Sequence, residues 1–186
     1  GEVRHKYVDW NYLVGTVTED HFALFFQDAW ALASELSVIA SGRLDLHPLI
    51  GPLASPRLAA IYKPTSHQAL RLSTGTAFRH PTMAETYVNL AASSPVAGVA
   101  VNLRGGRDLE PESIFTVDLG YRHQADVGEF EAVPYVNRVS NLITQTPLEA
   151  ASVGEPFRED IGAFIGATSN YVNESRKFVA LGSELS

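Results

Sequence analysis

The sequence of 186 residues contains no cysteine, which excludes a disulfide scaffold, a thiolate zinc site and a cysteine nucleophile together. It has no apolar run of about 18 residues or more, and this excludes a helical membrane protein because a spanning helix needs roughly 20 such positions. Basic residues number 14 against 21 acidic ones, and no segment clusters them. We therefore expect no nucleic-acid partner.

The N-terminus, Gly1 to Lys6, lacks a charged segment followed by an apolar one, so we find no signal peptide. We therefore expect the chain to be processed or, preferably, internal to a longer protein. The mean hydropathy of -0.02 still allows a membrane β-barrel. In such a barrel only alternate residues of each spanning strand face lipid, so the average polarity resembles that of a soluble protein.

Alternating hydrophobicity recurs in segments of strand length with turn residues between them. In 115–122, every second residue is apolar and the residues between them are polar or glycine, which places the two sets on opposite faces of a sheet. This pattern predicts eight strands, at about 5–14, 21–32, 35–46, 54–63, 67–79, 113–125, 129–143 and 174–185. The strand at 129–143 is the weakest, because Pro134 cannot donate to a ladder.

The predicted connections differ in length in a regular way. Those after the second, fourth and sixth strands are short, whereas those at 80–112 and 144–173 are long and fall at the opposite end of the sheet. Membrane barrels show this asymmetry, and a soluble sandwich has no reason to. We therefore predict an all-β, antiparallel transmembrane barrel wall, with Trp30, Tyr62 and Tyr121 as interfacial aromatics at the short-turn end.

Seven charged residues share one polar face under a single phase assignment: Arg43, Asp45, Arg57, Arg71, Arg79, Asp118 and Arg122. Lipid exposure would cost about 2–4 kcal/mol for each arginine at the midplane, so we expect this face to line the lumen. The residues could contact a plug in the lumen or guide an anionic substrate. The favoured interpretation is a solvated, salt-bridged lumen wall without a ligand role, because lumens are polar in general.

The long connection 80–112 is bracketed by Pro81 and Pro111, and a loop of this length is usually functional or disordered. Its candidate substrate-binding residues are Tyr87, Asn89, Arg104 and Arg107. The favoured alternative is that these four residues only order the loop, since loops carry binding residues disproportionately but not individually.

No catalytic pattern is present in the sequence. It has no Gly-x-Ser-x-Gly elbow, no phosphate-cradling loop and no paired carboxylates on a strand end. The histidines, at positions 5, 21, 47, 67, 80 and 123, show no spacing suited to a metal. We expect no enzyme, no metal and no cofactor; an outer-membrane protease or lipase is the enzymatic alternative.

Three stretches resemble, in order, the C-terminal half of TonB-dependent receptors. They are Leu70-Arg71-Leu72-Ser73-Thr74-Gly75-Thr76-Ala77-Phe78-Arg79-His80-Pro81 with Glu85 downstream, Asp108-Leu109-Glu110-Pro111-Glu112 with Asp118-Leu119-Gly120-Tyr121, and Asn173 with Gly182 and Glu184. Supporting stretches are Gln27-Asp28-Ala29-Trp30 and Ser55-Pro56-Arg57-Leu58. The matches together touch most of 22–186, and their order is more specific than any single motif.

The resemblance implies that residues 1–186 are one partial β-barrel domain of a receptor in the bacterial outer membrane. It implies three partners: outer-membrane lipid, an imported small-molecule ligand such as an iron–siderophore complex, and the TonB complex, reached through a plug segment. We find no plug domain, no energy-coupling box and no closing strand with a terminal aromatic residue. The family barrel has about 22 strands, so eight would form roughly a third of the wall.

Two other kinds of protein fit the pattern less well. One is a small autonomous eight-strand outer-membrane barrel with an adhesion or interaction role, since eight is about the smallest strand count of such barrels. The other is a soluble β-sandwich or lipocalin-like binder. For a receptor fragment we expect an open antiparallel sheet that does not insert stably into a bilayer alone, because unpaired strand edges are not tolerated in lipid.

Overall fold

The fold is seen in a computed structural model that describes residues 1–150 and 157–186. Its elements, in chain order, are β1 (Glu2–Val8), β2 (Val17–Ala31), β3 (Leu36–His47), β4 (Gly51–Thr65), β5 (Gln68–Arg79), α1 (Met83–Tyr87), β6 (Asn89–Ser93), β7 (Val99–Arg104), β8 (Glu112–Ala125), β9 (Gly128–Ser140), β10 (Ile143–Gln145), β11 (Glu149–Ala150), β12 (Phe157–Arg158), β13 (Ala163–Asn173) and β14 (Phe178–Leu185). Among the described residues, no helix has the length and apolarity needed to cross a membrane.

The main sheet contains eight antiparallel strands in the order β1-β2-β3-β4-β5-β8-β9-β14. This confirms the predicted fold class and the count of eight meandering strands. Within the described residues β1 and β14 do not pair with each other, so the sheet has two open edges.

The register gives the sheet two different faces. Ser73 lies opposite Asp118 and Arg71 opposite Gly120, so the seven predicted wall residues share one face, which we call the polar face. The other, apolar face carries large side chains such as Phe26, which is 68% exposed, and Leu181, which is 75% exposed. Apolar side chains this exposed are typical of a lipid-facing surface.

The three predicted interfacial aromatics lie on the apolar face near the short-turn end. Trp30 stands one residue from the end of β2, and it pairs with Val38. Tyr62 and Tyr121 flank Leu70 on the two neighbouring strands. All three rings therefore lie at one end of the apolar face, and their position at a membrane interface stays a prediction.

Several strand boundaries differ from the prediction. The first strand ends at Val8 and the second begins at Val17, because Leu13 lies in a turn and bridges to Val88 instead. The predicted strand 129–143 divides after Ser140, where Asn141 adopts a left-handed backbone with φ of 57°. Asparagine tolerates this conformation better than most residues. The last strand begins at Phe178 and not at 174.

Pro134 remains inside β9. The ladder to β8 lacks the two pairs around it, between Asp118–Tyr135 and Tyr121–Ala132, whereas the ladder to β14 continues through Pro134 opposite Ser183. The proline thus interrupts pairing on one side only, as expected of a residue without a backbone donor.

The two long connections, to which the sequence pattern assigned no strand, contain regular structure in the described residues. The connection 80–112 contains α1, β6 and β7, and the connection 144–173 contains β11, β12 and β13, although its residues 151–156 lie outside the described residues. These strands form a second sheet in the order β10-β13-β7-β6, with β13 and β7 parallel. Their lengths of 2 to 6 residues, β13 excepted, explain why alternation did not reveal them.

The buried core lies between the second sheet and the first connection of the main sheet, not within the main sheet. Leu13, Val17, Tyr87 and Val88 form one cluster. Backbone bonds from Val14 N to Tyr87 O at 3.0 Å and from Asn89 N to Tyr12 O at 2.8 Å reinforce it. The second sheet is thereby fixed to the long-connection end of the main sheet.

Candidate ligand-binding site at the long-connection end

Ion pairs occupy much of the polar face. Arg43 donates to Asp45 at 2.8 Å and to Glu2 at 3.2 Å, and Arg71 donates to Asp118 at 3.3 Å. Farther toward the short turns, Arg122 donates to Glu129 at 2.6 Å. The contacts are those of a salt-bridged wall.

Arg57 differs from the other wall arginines, because it makes no ion pair with any residue in 1–150 or 157–186. Its side chain packs beside Gly75. A Cβ atom built on that glycine would lie 3.3 Å from Arg57 Cβ. It lines a cavity of about 250 Å³ together with Ser73, Thr116 and Asp118.

The motif residues that carried the resemblance meet at the top of β5. Arg79 donates through Nη1 to Glu85 Oε2 at 2.9 Å and through Nη2 to Glu112 Oε1 at 2.8 Å. Glu85 also accepts from the Thr82 backbone N–H at 2.7 Å and closes a capping box at the start of α1. Burial acts to raise the pKa of Glu85, but hydrogen bonds from Arg79 and Thr82 outweigh it and hold that pKa below its ordinary value.

Asn173, another motif residue, clamps two separate segments. Its Oδ1 accepts from Glu110 N at 2.8 Å, and its Nδ2 donates to Glu110 O at 2.9 Å and to Asn141 O at 2.8 Å. The Asn141 amide in turn donates to Glu110 Oε2 at 2.7 Å. The end of β13 is thus joined both to the entry of β8 and to the exit of β9.

Above this network lies a cavity of about 420 Å³ between the second sheet and the first connection. It is lined by Val14, Thr86, Val88, Asn89, Asn102, Arg104, Gly105, Arg107, Arg158 and Ile165. Three of the four predicted substrate-binding residues, Asn89, Arg104 and Arg107, are therefore brought together. The fourth, Tyr87, is buried, and the Arg107 guanidinium lies 5.7 Å from its ring centroid.

Among the cavity residues that the sequence reasoning missed, two contact Asn89. Asn102 donates to Asn89 Oδ1 at 3.0 Å, and Arg158 reaches the same oxygen at 3.4 Å. Arg158 is positioned by Asp160, whose oxygens accept from it at 2.8 Å and 2.7 Å; these bonds lower the pKa of Asp160. Arg158 lies in the other long connection, and the parallel pairing of β13 with β7 that brings it here leaves no local sequence signal.

Glu19, His21 and His47 also come together beside this network, on the polar side of β2 and β3. No histidine spacing indicated this cluster. The hairpin of β2 and β3 does offer a signal. Phe22 pairs with Leu46, so His21, just before Phe22, lies opposite His47, just after Leu46. A hairpin centred on the short turn would have placed these two histidines opposite each other.

Comparison with known proteins fits this architecture. Residues 4–185 match the family model of the TonB dependent receptor-like beta-barrel. The chain therefore belongs to the TonB-dependent receptors, and the resemblance drawn from its motifs is confirmed. Barrels of this family are bacterial outer-membrane proteins that act as transport receptors.

Solved structures show the same fold. The siderophore receptor PirA from Pseudomonas aeruginosa is 19% identical with a TM-score of 0.77, over 96% of this chain and 33% of that one. The ferric enterobactin receptor PfeA from Pseudomonas aeruginosa, in complex with BCV-L6, is 23% identical with a TM-score of 0.74, over 92% and 25%. The Serratia marcescens hemophore receptor HasR is 15% identical with a TM-score of 0.69, over 93% and 32%.

The chain thus spans between a quarter and a third of the length of these receptors. The sequence has no match among the curated proteins compared with it.

Proposed function

We propose that this chain forms part of the wall and outer face of an outer-membrane receptor that takes up a scarce nutrient with energy from TonB. The plug segment and its TonB contact would be supplied by other parts of the receptor. The observation that carries the proposal is the convergence of Arg104, Arg107 and Arg158, from two different connections, on one cavity at the long-connection end.

The chemistry of the cavity favours an anionic ligand. Guanidinium groups are planar donors that match carboxylate and phenolate-type oxygens, and they remain charged at all physiological pH values. The chain as a whole has a net charge of -7, so three arginines around one cavity are not a reflection of its composition. A cavity of about 420 Å³ lies within the usual range for small ligands.

The similar structures suggest which ligands to test. Their names describe a siderophore receptor, a ferric enterobactin receptor and a hemophore receptor. A catecholate iron–siderophore complex such as ferric enterobactin is anionic and could engage this cavity with one of its edges. We therefore propose the iron–siderophore class as the ligand, with haem as the alternative outcome of the test.

The test is ligand binding by the full receptor that contains residues 1–186, purified in detergent, with ferric enterobactin and haem as probes. We expect Arg107→Ala and Arg158→Ala each to weaken ferric enterobactin binding by roughly tenfold or more, since a hydrogen bond to a charged group contributes about 1.5–3 kcal/mol. The matched control is Arg176→Ala, which removes the same charge at the same end of the sheet; among the described residues, Arg176 pairs only with Glu174, at 2.9 Å.

Unchanged affinity in both cavity variants, or an equal loss in Arg176→Ala, would contradict the proposed site. Binding of haem alone would replace the siderophore class and keep the site. Migration of each variant on unheated gels shows whether its barrel has formed.

We also infer that the apolar face contacts outer-membrane lipid. Trp30 is 46% exposed on that face at the short-turn end, whereas Trp10 lies in the first connection at the other end. In the full receptor reconstituted into lipid vesicles, Trp30→Phe should remove more of the fluorescence that brominated acyl chains quench than Trp10→Phe does. An equal change in the two variants would count against a lipid-facing surface.

A further inference from the structure

Three side chains from two neighbouring strands point at one another where β2 and β3 approach the long-connection end. Glu19 and His21 share the polar side of β2, and His47 is the last residue of β3. Glu19 Oε2 lies 2.9 Å from His21 Nε2 and 3.9 Å from His47 Nε2. The three ligand-type atoms all lie within 4.8 Å of one another.

We propose that Glu19, His21 and His47 form a binding site for a divalent transition metal ion of the zinc type. Two imidazoles and one carboxylate are a ligand set that zinc uses, with the fourth position left to water or to a further residue. Zinc ligands lie about 2.0–2.2 Å from the ion, so neighbouring ligand atoms in a tetrahedral site are about 3.3 Å apart. The Glu19–His21 separation of 2.9 Å and the Glu19–His47 separation of 3.9 Å bracket that value.

The polar atoms of this cluster are buried without full hydrogen bonding. The side chains of Glu19, His21 and His47 are 4%, 15% and 3% exposed. His47 Nε2 is buried and has no hydrogen-bond partner among the described residues. A buried nitrogen left without a partner is unfavourable, and a metal ion at the centre of the cluster would satisfy it.

Metal binding requires a change of tautomer at His47. The Leu49 N–H donates to His47 Nδ1 at 3.3 Å, which places the His47 proton on Nε2 in this arrangement. Coordination through Nε2 moves that proton to Nδ1, where it faces the Leu49 N–H, so this N–H must turn away from the ring. The hydrogen bond that is given up is long and therefore weak.

Neighbouring groups support the cluster from the other side. Burial and the nearby Glu19 carboxylate raise the pKa of the Tyr87 hydroxyl, so Tyr87 stands next to the cluster as outer-shell groups commonly do at metal sites. The His80 ring stacks on His47 with 4.8 Å between centroids and an interplanar angle of 18°. His21 and His80 also line a cavity of about 100 Å³, which gives an ion a path to the site.

The charged groups around the cluster differ in their effect on cation binding. Lys6 lies directly opposite Glu19 on β1 and repels a metal ion. Arg43, which lines the adjoining cavity, is already neutralised by Asp45 and Glu2. We therefore expect that removal of the Lys6 charge strengthens metal binding.

A bound ion would fix the hairpin of β2 and β3 to the start of the long connection, through Tyr87 and His80. This role is separate from the arginine cavity, and it holds whichever ligand the receptor imports.

The test is titration of the full detergent-purified receptor, stripped of metal, with ZnCl₂ and CuCl₂. We expect one Zn²⁺ per chain by calorimetry, at least about tenfold weaker binding in His21→Ala and His47→Ala, and tighter binding in Lys6→Gln. The matched control is His67→Ala, in the short turn between β4 and β5 at the opposite end of the sheet, which should bind Zn²⁺ like the wild type.

The Cu²⁺-loaded wild-type receptor provides a measurement that needs no variant. Its electron paramagnetic resonance spectrum should show coupling to two imidazole nitrogens. A spectrum without nitrogen coupling, or equal Zn²⁺ binding in wild type, His21→Ala and His47→Ala, would overturn the proposal. Loss of binding in His67→Ala to the same extent would assign the ion to scattered surface histidines only.

Discussion

Replacing Asn173 with alanine should open the clamp that joins the end of β13 to the entry of β8. The substitution removes three hydrogen bonds, at 2.8, 2.9 and 2.8 Å, and leaves the Glu110 backbone N–H and two carbonyl groups without their partner. No secondary-structure ladder replaces these bonds, because Glu110 lies just before β8 begins.

The magnitude follows from the exposure of each bond. Both bonds to Glu110 are exposed, and we take about 0.5 kcal/mol for each, at the low end of measured contributions. The bond to Asn141 is partly buried, and we take about 1 kcal/mol for it. The local opening free energy should therefore fall by about 2 kcal/mol, which corresponds to a roughly thirtyfold larger open population.

Hydrogen exchange measures this opening directly. The Glu110 amide donates to Asn173 Oδ1, and Pro111 after it has no amide, so a peptide spanning 108–111, whose first two residues retain no label, isolates the signal. We expect the exchange rate at Glu110 to rise by about thirtyfold in Asn173→Ala. The control is Gln145→Ala, which removes one exposed bond to Tyr171 Oη at 2.8 Å and should leave this peptide unchanged.

Asn173→Asp sharpens the test, because it keeps the acceptor for Glu110 N but places a carboxylate against two carbonyl oxygens. Compared with Asn173→Ala, this variant should disrupt the contact with Asn141 at least as much and the contact with Glu110 N less. Exchange at Glu110 that is unaltered in Asn173→Ala, or no faster than in Gln145→Ala, would refute the view that the clamp holds this segment.

Two further predictions concern α1 and its surroundings. The pKa of Glu85 is lower in the folded protein than its ordinary value of 4.5, so the ionised carboxylate stabilises α1 fully above pH 4.5. This stabilisation is lost as the pH falls through the lowered folded pKa, and amide exchange in α1 should therefore accelerate on acidification. Glu85→Gln should remove this pH dependence. Gly105→Ala should destabilise the second sheet by about 1–3 kcal/mol in urea unfolding, because its Cβ would lie 2.4 Å from a backbone carbonyl oxygen at the end of α1. Gly128→Ala, where the Cβ meets nothing within 4 Å, is the matched control, and equal unfolding midpoints would contradict the steric argument.

The main sheet could be predicted because each spanning strand faces two environments. Leu58 and Leu72 had to face away from Arg57 and Arg71, so a single assignment of alternate residues to the two faces fits every strand. The short turns then fixed which strands were neighbours. The boundaries were less accurate where the environment changes gradually, as at Val8 and Val17 near the first connection.

The second sheet was not predicted, because its strands are short and its central pairing is parallel and distant. Residues Val99–Arg104 lie beside Phe164–Asn170, and no turn joins them. Arg158 could not be placed in the cavity without that pairing. By contrast, Asn89 and Arg107 were proposed from their position in one loop, and they do line the cavity.

The parallel pairing of β7 with β13 has a consequence for assembly. A barrel built one strand at a time would place β6 and β7 at the surface long before β13 exists, and a lone two-stranded hairpin is marginally stable in water. The arginines on the two long connections would thus meet only after the last of these strands has been added. A wall that lacks β13 would therefore lack the complete cavity between the two long connections.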